Sequence, residues 1–333
     1  MYTNADSLLN KLQELQLLID SLEKKPKVIA ITEVKSKSKN WQANLSEYNL
    51  QNYNIISNDL EINSRGIIIY VHSSLEFSII ESNVKFDEHQ IIKIKMKDKS
   101  ELIICVIYRS PNSSAINNNF LLEVFSNVCK KYKNKIIFMG DFNLPSIDWH
   151  FWNSTSKNKF EIEFINKLQD CFLMQNVLTS TRARGEDNPH ILDLVITNED
   201  FLDIKNTSPL GKSDHSVLLI NCNIQVVIQN KEKLNLKKGD YDGLKNALDI
   251  DWEITLEKHH DDVNSMWVEF KNIIIKNCEK YIPKTNNFDN WKKASWKCPL
   301  PENVRKIIKI KDRKWTRYLE TINNDLLKEY KTL

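Results

Sequence analysis

Cysteine motifs and long apolar runs are missing from this 333-residue chain, and each absence argues against a class of protein. The six cysteines are scattered and form no C-x-x-C pair, which argues against a disulfide framework and against a zinc site. No apolar run approaches the roughly 20 residues that a membrane-spanning helix needs. The polar, amphipathic N-terminus does not resemble a secretory signal. We therefore expect an intracellular protein with reduced thiols and no membrane partner.

Glycine is also scarce, at six residues. Two of the six, Gly140 and Gly211, stand next to clusters of polar residues, where the backbone is expected to turn tightly. Because glycine is rare in this chain, we expect the backbone at these two positions to need a conformation or a close contact that only glycine allows.

The composition itself is ordinary for a globular protein, with 41% apolar and 27% charged residues. The net charge of +3 is unevenly spread: from Lys284 onward thirteen basic residues face six acidic ones, a net of +7, which leaves −4 for the rest. The basic residues from Arg305 to Arg317 suit nucleic-acid contact or nuclear import. A solvated helix face explains them equally well.

The apolar pattern predicts a sheet-rich α/β or α+β domain over residues 1–228. Leucines and isoleucines at steps of three and four predict a helix over residues 8–22 that ends before Pro26. Short apolar runs predict strands near residues 27–33, 65–72, 76–80, 90–97, 101–109, 135–141, 176–180, 191–197 and 216–228, with further helices near 118–132 and 160–172. Residues 229–243 are predicted to be a linker, and residues 244–333 a basic helical extension.

Polar side chains recur where the predicted strands end. Period-two spacing would place Asp141 and Asn143 on the same side of the chain. The recurring residues are Glu33, Tyr108, Arg109, Asn112, Asp141, Asn143, Asp193, Asp214 and His215. Any one of them alone is more often a cap, a turn residue or a satisfied core polar group.

Together these residues form a coherent set for cleaving a phosphodiester. Glu33 and Asp141 would hold Mg²⁺ or Mn²⁺, hard cations that prefer carboxylate oxygens. Such an ion polarises a phosphoryl oxygen. His215, oriented by Asp193, would donate a proton to the phosphate or take one from water. Asp141 is the better candidate for activating the water.

The motifs that carry these residues resemble the endonuclease/exonuclease/phosphatase superfamily. They are T-N-A-D at residues 3–6, I-T-E at 31–33, Y-R-S-P-N at 108–112, G-D-F-N at 140–143, L-D-L-V-I-T-N at 192–198 and S-D-H at 213–215. Within that superfamily, residues 2–224 resemble the apurinic-type endonuclease domain of non-LTR retrotransposon proteins. The stretch K-I-K-D-R-K-W-T-R-Y-L-E-T is similar to the linker that precedes their reverse transcriptase. The resemblance implies a four-layered α/β/β/α sandwich with two packed mixed sheets.

The resemblance also implies a role for each matching residue. The catalytic set is Asp141, which activates water, His215 with its partner Asp193, Tyr108, which contacts the scissile phosphate, and Asn143, which steadies the transition state. The metal set is Glu33, Asp214, Asp6 and Asn4, although Asp6 could instead be the N-cap of the first helix. The expected DNA contacts are Asn112, Arg109, Arg182 and Arg184, and a solvated loop is the alternative for the last two.

The expected function is that of a Mg²⁺-dependent (or Mn²⁺-dependent) endonuclease that nicks DNA in the nucleus and leaves a 3′-hydroxyl. Element RNA, or a reverse transcriptase supplied elsewhere, would be a further partner. Two alternatives stay open: a phosphatase acting on phosphoinositides or other phosphoesters, and an inactive nucleic-acid-binding remnant. One departure from the family concerns the first strand, since only Met1 to Thr3 precede Asn4. A shortened internal strand is expected to lose ladder hydrogen bonds and core area.

Overall fold

The computed structural model describes residues 1–36, 44–58, 64–156, 159–184, 188–228, 233–257, 262–285 and 300–333. The chain forms two compact units, one made of residues 1–228 with 298–333 and the other of residues 229–297. Among the described residues, no helix has the length and apolar character needed to cross a bilayer. The described cysteines are free thiols.

The first unit is built on two six-stranded sheets. Its strands are β1 (Tyr2–Asn4), β2 (Val28–Thr32), β3 (Tyr53–Ser57), β4 (Ile67–His72), β5 (Phe77–Ile80), β6 (His89–Lys95), β7 (Glu101–Tyr108), β8 (Lys135–Asp141), β9 (Ile147–Asp148), β10 (Asn153–Ser154), β11 (Met174–Gln175), β12 (Asp193–Thr197), β13 (Leu202–Thr207) and β14 (Val217–Cys222). Sheet A has the order β13-β14-β1-β2-β4-β3, and sheet B the order β11-β12-β8-β7-β6-β5. Strands β9 and β10 form a separate hairpin.

Each sheet has one parallel pair of strands near its middle, flanked by antiparallel strands. In sheet A the pair is β1 and β2, with Tyr2 opposite Ala30. In sheet B the pair is β7 and β8, with Tyr108 opposite Asp141. Because parallel strands end at the same edge, the residues that follow them are brought together there.

The central strands of sheet B, β7, β8 and β12, are buried on both faces, which explains why they are continuous apolar runs. In β7, Ile103 and Ile107 face helices α2 (Ala115–Lys131) and α3 (Lys159–Asp170), whereas Ile104 and Val106 face sheet A. Helix α1 (Leu12–Ser21) covers the outer face of sheet A through Leu15 and Ile19. The predicted four-layered sandwich of helix, sheet, sheet and helices is therefore confirmed.

The first strand is short, as the sequence indicates, but it is fully integrated into sheet A. Residues Tyr2 to Asn4 are completely buried between β2 and β14. The amino group of Met1 donates to the carbonyl oxygen of Val28 at 3.0 Å, which extends the pairing by one hydrogen bond. A strand of only three residues is therefore enough to pair with both β2 and β14 in the centre of sheet A.

One predicted strand is displaced. The run at residues 176–180 is not a strand; the edge strand β11 lies just before it, at Met174–Gln175. The Gln175 side chain bonds both the backbone N–H and the carbonyl of Val177, and this local turn competes with the ladder. In the first unit, strands β3, β9, β10 and β13 have no counterpart among the predicted strands.

The C-terminal region is divided differently from the predicted single extension. Helices α7 (Glu302–Thr321) and α8 (Asn324–Lys331) belong to the first unit, where Trp315, Tyr318 and Leu327 form a buried cluster with Ala183. The second unit contains β15 (Lys233–Leu234), α4 (Tyr241–Leu248), α5 (Trp252–Glu257), α6 (Val263–Tyr281) and β16 (Lys284–Thr285). The segment expected to be a linker, 229–243, thus includes β15 and the start of α4, while residues 229–232 lie outside the described residues.

Candidate active site

Strand ends from both sheets meet at one edge of the sandwich. Asn4, Tyr108 and Asp141 are the last residues of β1, β7 and β8, and Glu33 follows β2. The antiparallel neighbours contribute residues at or near their first positions. Asp193 is the first residue of β12 and pairs in register with Asp141, and His215 lies two residues before β14. The fold thus brings residues from distant parts of the chain to one seam between the sheets.

Gly140 makes the close approach of Asp141 to this seam feasible. A Cβ atom at residue 140 would lie 1.8 Å from the carbonyl oxygen of Ile107 on the neighbouring strand. The expected tight turn at Gly140 is therefore a close contact between parallel strands inside a sheet. At Gly211 the expectation holds, since its φ of +58° is the left-handed conformation that glycine adopts without strain.

Asp141, Asp193 and His215 form a buried cluster in which their ligand-type atoms all lie within 4.8 Å of one another. Nδ1 of His215 is 2.8 Å from Oδ2 of Asp193, and Nε2 is 3.9 Å from Oδ2 of Asp141. Asp214 Oδ1 also lies 3.9 Å from Nε2. The imidazole therefore has one carboxylate bonded to Nδ1, that of Asp193, and two carboxylates near Nε2, those of Asp141 and Asp214.

Asn4 ties the two sheets together at this cluster. Its Nδ2 atom donates to Oδ2 of Asp141 at 2.8 Å, and its Oδ1 accepts from the backbone N–H of Asp6. Tyr2 adds a second link, because its hydroxyl donates to Oδ1 of Asp193 at 3.0 Å. Both bonds are buried, so the cluster is held rigidly from the side of sheet A.

The protonation states follow from burial and crowding. Burial, together with the carboxylates of Asp193 and Glu33, raises the pKa of Asp141 to about 7, even though His215 lowers it. Burial alone would lower the pKa of His215, but the carboxylates of Asp193 and Asp141 outweigh it and raise that pKa to about 10. These shifts favour a cationic imidazole at neutral pH and make Asp141 harder to ionise than an ordinary aspartate.

Glu33 and Asp6 share one cation, Arg65. The Nη2 atom of Arg65 donates to Asp6 Oδ1 at 2.7 Å and also to Glu33 Oε2. Its Nε and Nη1 atoms are buried without a hydrogen-bond partner among the described residues. Asp6 and Glu33, which are expected to hold the metal, are therefore neutralised by the Arg65 guanidinium. Two nitrogen atoms of that guanidinium are still able to donate hydrogen bonds.

Glu88 holds Arg65 in place. Its carboxylate accepts from the backbone N–H of Arg65 at 2.9 Å and from that of Gly66 at 2.8 Å. The antiparallel pairing of β2 with β4, with Thr32 opposite Ile67, places this loop beside Glu33. The sequence does not identify Arg65 and Glu88, because the register between strands cannot be read from it; the only signal is the Arg-Gly pair at the start of the predicted strand 65–72.

Tyr108 lies close enough to Glu33 and to Asp141 for both carboxylates to act on its hydroxyl group. Burial and the carboxylates of Glu33 and Asp141 raise the pKa of the Tyr108 hydroxyl above its ordinary value. The phenol is therefore protonated and can donate a hydrogen bond. Its position as the last residue of β7, beside Asp141 at the end of β8, follows from the parallel register.

Left-handed backbone occurs at three of the predicted site residues, none of them glycine. Their φ angles are +39° at Asp6, +50° at Glu33 and +48° at Asn143. Such conformations cost about 1–3 kcal/mol each and tend to occur at functional sites. In Asn143 this conformation ends the period-two alternation, so the predicted shared face with Asp141 is not formed. Its Nδ2 donates instead to the carbonyl of Arg109 at 2.9 Å, and its N–H to Asp141 Oδ1 at 3.1 Å.

Arg109 is not a surface residue, contrary to its predicted role in DNA binding. It is 5% exposed, and its guanidinium lies over the ring of Phe160 at 5.0 Å. Nε donates to Asn118 Oδ1 at 2.8 Å, and Nη1 to the carbonyls of Phe142 and Asn143. These bonds make Arg109 a brace for the loop after β8.

The other three predicted DNA contacts lie closer to solvent. Asn112 and Arg184 are exposed. Arg182 is half-buried, and its Nε donates to Oδ2 of Asp214 at 3.1 Å. The predicted metal ligand Asp214 therefore already has a cationic partner. Outside this cluster, Trp149 is buried and packs edge to face against Trp152, with the ring centroids 5.6 Å apart.

The donor set fits a hard divalent cation. The cluster that the described residues form offers carboxylate oxygens from Asp141 and Asp193 and a ring nitrogen from His215, and it contains no cysteine. Arg65 shows independently that a positive charge is stabilised between Asp6 and Glu33. Glu33, Asp6 and Asp141 are the residues with oxygens suited to such an ion.

Comparison with known proteins agrees with this geometry. Residues 102–219 match the family described as endonuclease-reverse transcriptase. No curated protein sequence matches significantly. The endonuclease domain of TRAS1, a telomere-specific non-LTR retrotransposon, is 16% identical, with a TM-score of 0.51 over 67% of this chain and 98% of that domain.

Two further solved structures share the fold. The AP endonuclease LMAP from Leishmania major is 13% identical, with a TM-score of 0.51 over 66% of this chain and 86% of its own. The catalytic domain of Xenopus laevis APE2 is 14% identical, with a TM-score of 0.50 over 69% and 94%. The first unit therefore has the fold of these solved structures, and its residues 102–219 match the endonuclease-reverse transcriptase family model, in agreement with the resemblance of the sequence motifs.

Proposed function

We propose that this protein is a divalent-metal-dependent endonuclease that nicks DNA and leaves a 3′-hydroxyl, with Mg²⁺ as its metal and a non-LTR retrotransposon as its origin. The observation that carries the proposal is the buried cluster of Asp141, Asp193 and His215 at the seam of the two sheets. The solved structures of similar fold include a 3′ phosphatase from Neisseria bound to product DNA, which supports DNA as the substrate class.

Asp141 is the group suited to take the proton of the attacking water. A general base works best when its pKa lies near the operating pH, and burial places that of Asp141 at about 7. Asn4 and the N–H of Asn143 each donate to one of its oxygens, which fixes the direction of the carboxylate. The water would therefore be activated in one defined orientation.

His215 is suited to stabilise the phosphate charge. Its raised pKa keeps both ring nitrogens protonated at neutral pH, and Asp193 engages Nδ1. Nε2–H thus remains for a phosphate oxygen, where a preorganised donor acts in a water-poor site. Tyr108, protonated for the same electrostatic reason, supplies a second donor from the end of β7.

Glu33 and Asp6, with Asp141 nearby, are the residues that would hold the metal ion. When bound, the ion would neutralise charge on the phosphate as it develops. Arg65 would then be released from Glu33 in part, and its guanidinium would be available to a phosphate oxygen. Asn143, fixed by Arg109, would close the site on the side of β8.

Nicking of a supercoiled plasmid tests the proposal. The parent protein with Mg²⁺ should convert supercoiled to open-circular DNA that DNA polymerase extends directly from the nick, which requires a 3′-hydroxyl. EDTA should abolish the reaction, and the isosteric variants Asp141→Asn and His215→Gln should each lower its rate at least about 100-fold. Lys85→Gln, at an exposed lysine, is the matched control and should nick like the parent.

Other results would assign a different function. Hydrolysis of phosphoinositides or 3′-phosphates without nicking would identify a phosphatase. DNA binding without any metal-dependent hydrolysis would identify a binding module. Full nicking by Asp141→Asn and His215→Gln would overturn the assigned site.

A further inference from the structure

Helix α7 carries a stripe of four basic residues on one face. Arg305, Lys309, Arg313 and Arg317 follow each other at steps of four, and all four are exposed. Residues four apart lie above one another on a helix, so these side chains form a row of about 18 Å. We refer to these four residues as the basic stripe.

The stripe differs from the other cations of the same helix, which have partners. Lys306 pairs with Glu302 at 3.0 Å, Lys314 pairs with Glu329, and Lys311 lies 5.3 Å above the ring of Tyr330. In contrast, no member of the stripe forms a salt bridge with an acidic residue in the described part of the chain. The helix holds seven basic and three acidic residues, so its positive charge is concentrated on the stripe.

The opposite face of α7 fixes the stripe to the nuclease domain. Trp315 and Tyr318 are 2% and 0% exposed, and the indole Nε1 of Trp315 donates to Ser216 Oγ at 2.8 Å. Asp312 accepts from both the N–H and the hydroxyl of Ser208. Ser216 directly follows His215, so α7 is anchored to the segment that carries the catalytic imidazole.

We propose that the basic stripe is a second DNA-binding surface, which contacts the phosphate backbone of the duplex away from the cleavage position. Over about 18 Å a DNA duplex carries roughly ten phosphate charges, so a fixed row of four cations meets a regular array of anions. The choice of partner rests on the proposed nuclease function. The contact is with backbone phosphates and carries no base specificity.

Salt-dependent DNA binding by the 333-residue chain tests the proposal. The variant Arg305→Gln, Lys309→Gln, Arg313→Gln, Arg317→Gln removes the stripe. The control Lys24→Gln, Lys85→Gln, Lys97→Gln, Lys133→Gln removes four exposed lysines elsewhere, so that both proteins have the same net charge. Binding to a 30-base-pair duplex in EDTA is measured by fluorescence anisotropy between 50 and 300 mM NaCl.

The slope of log K against log salt should become shallower by about three to four in the stripe variant, close to one per lost phosphate contact. The control should keep most of the parent slope, and both variants should melt at the parent temperature because every changed residue is exposed. Equal losses in the two variants, or no loss in either, would overturn the proposal. A loss seen only with an RNA duplex of the same sequence would overturn the assignment to DNA.

Failure here is distinguishable from failure of the proposed function. Asp141→Asn keeps the stripe and should bind DNA in EDTA with the parent slope while losing nicking. If Asp141→Asn nicks normally, the catalytic assignment fails and the stripe is unaffected. If nicking behaves as proposed but the stripe variant binds like the parent, only the stripe proposal fails.

Discussion

His215 and Asp193 lie 2.8 Å apart, Nδ1 to Oδ2, in a setting from which water is almost excluded. The other oxygen of Asp193 accepts from Tyr2, so the carboxylate cannot rotate away. Asp141 and Asp214 face the remaining nitrogen of the ring at 3.9 Å. These three carboxylates hold the proton on the imidazole, and this has consequences for both stability and chemistry.

The metal-free protein should lose stability as pH rises from about 6 to 10. A folded-state pKa of about 10 for His215, above the ordinary 6.5, gives a contribution that is complete below pH 6.5 and is lost as pH rises through 10. The raised pKa of Asp141, about 7, acts in the same direction over a lower range, from about pH 4 to 7. The melting temperature in EDTA, followed from pH 5 to 10, should therefore fall.

Asp193→Asn is the variant that isolates this effect. Without the carboxylate the pKa of His215 should return toward its ordinary range, so the decline above pH 7 should flatten. Glu199→Gln, at an exposed residue paired with Lys135 on the far end of the sheet, is the control and should keep the parent profile. Parallel profiles for parent and Asp193→Asn would contradict the assigned protonation.

Arg65→Ala should make the protein less stable without metal and more responsive to metal. Removing the guanidinium leaves Glu33 largely buried without a counter-charge, which should cost about 1–3 kcal/mol in EDTA. A divalent ion would no longer compete with Arg65 for Asp6 and Glu33. The rise in melting temperature on adding Mg²⁺ should therefore exceed that of the parent.

Arg65→Lys provides the comparison for charge alone. It keeps one positive charge but not the guanidinium whose Nη2 atom bonds both carboxylates, and it should fall between the parent and Arg65→Ala in both measurements. Calorimetric titration with Mg²⁺ gives the same comparison as an affinity. A metal response unchanged in Arg65→Ala would show that the ion does not share the site of the guanidinium.

The polar residues at the strand ends can be predicted from the sequence, because each one directly follows an apolar run and the runs occur in a characteristic order along the chain. Apolar runs that end in Glu33, Tyr108 and Asp141 predicted both the strands and the convergence of the polar residues. The sequence could not show what depends on register between strands. Arg65 reaches Glu33 only because β4 starts opposite the end of β2, and this pairing leaves no trace in either segment.

Local backbone conformation accounts for the two clearest differences at the site. The alternation assumed for Asn143 fails because φ turns positive directly after β8. Arg109, which follows a strand in the same way as the site residues, turns inward, where three acceptors and Phe160 satisfy it. The motif loop predicts a DNA contact for Arg109, whereas its contacts in the structure brace the loop after β8.

Trp315→Ala should destabilise the nuclease domain, because α7 is part of its packing. Deleting a fully buried tryptophan side chain costs about 3–5 kcal/mol. Trp315→Phe keeps the ring packing but leaves Ser216 without the indole donor, for a cost of about 1 kcal/mol. Phe151→Ala, at a residue 71% exposed, is the control and should change stability by less than about 1 kcal/mol. Urea unfolding of the full chain gives all three values, and no loss in Trp315→Ala would show that α7 is not docked.

Gly140→Ala should damage both stability and catalysis, since its neighbour is backbone and cannot move aside. The added Cβ would lie 1.8 Å from the Ile107 carbonyl, so β7 and β8 must separate, at an expected cost of about 3–5 kcal/mol. Separation would also withdraw Asp141 from Asn4.

Gly211→Ala is the matched comparison: its Cβ meets the flexible end of Glu14, and its left-handed backbone should cost only about 1–2 kcal/mol. Because residue 211 lies outside the cluster, its variant should retain nicking below its melting temperature. Equal stability losses in the two glycine variants would mean that the strands at residue 140 are not as close as the structure places them.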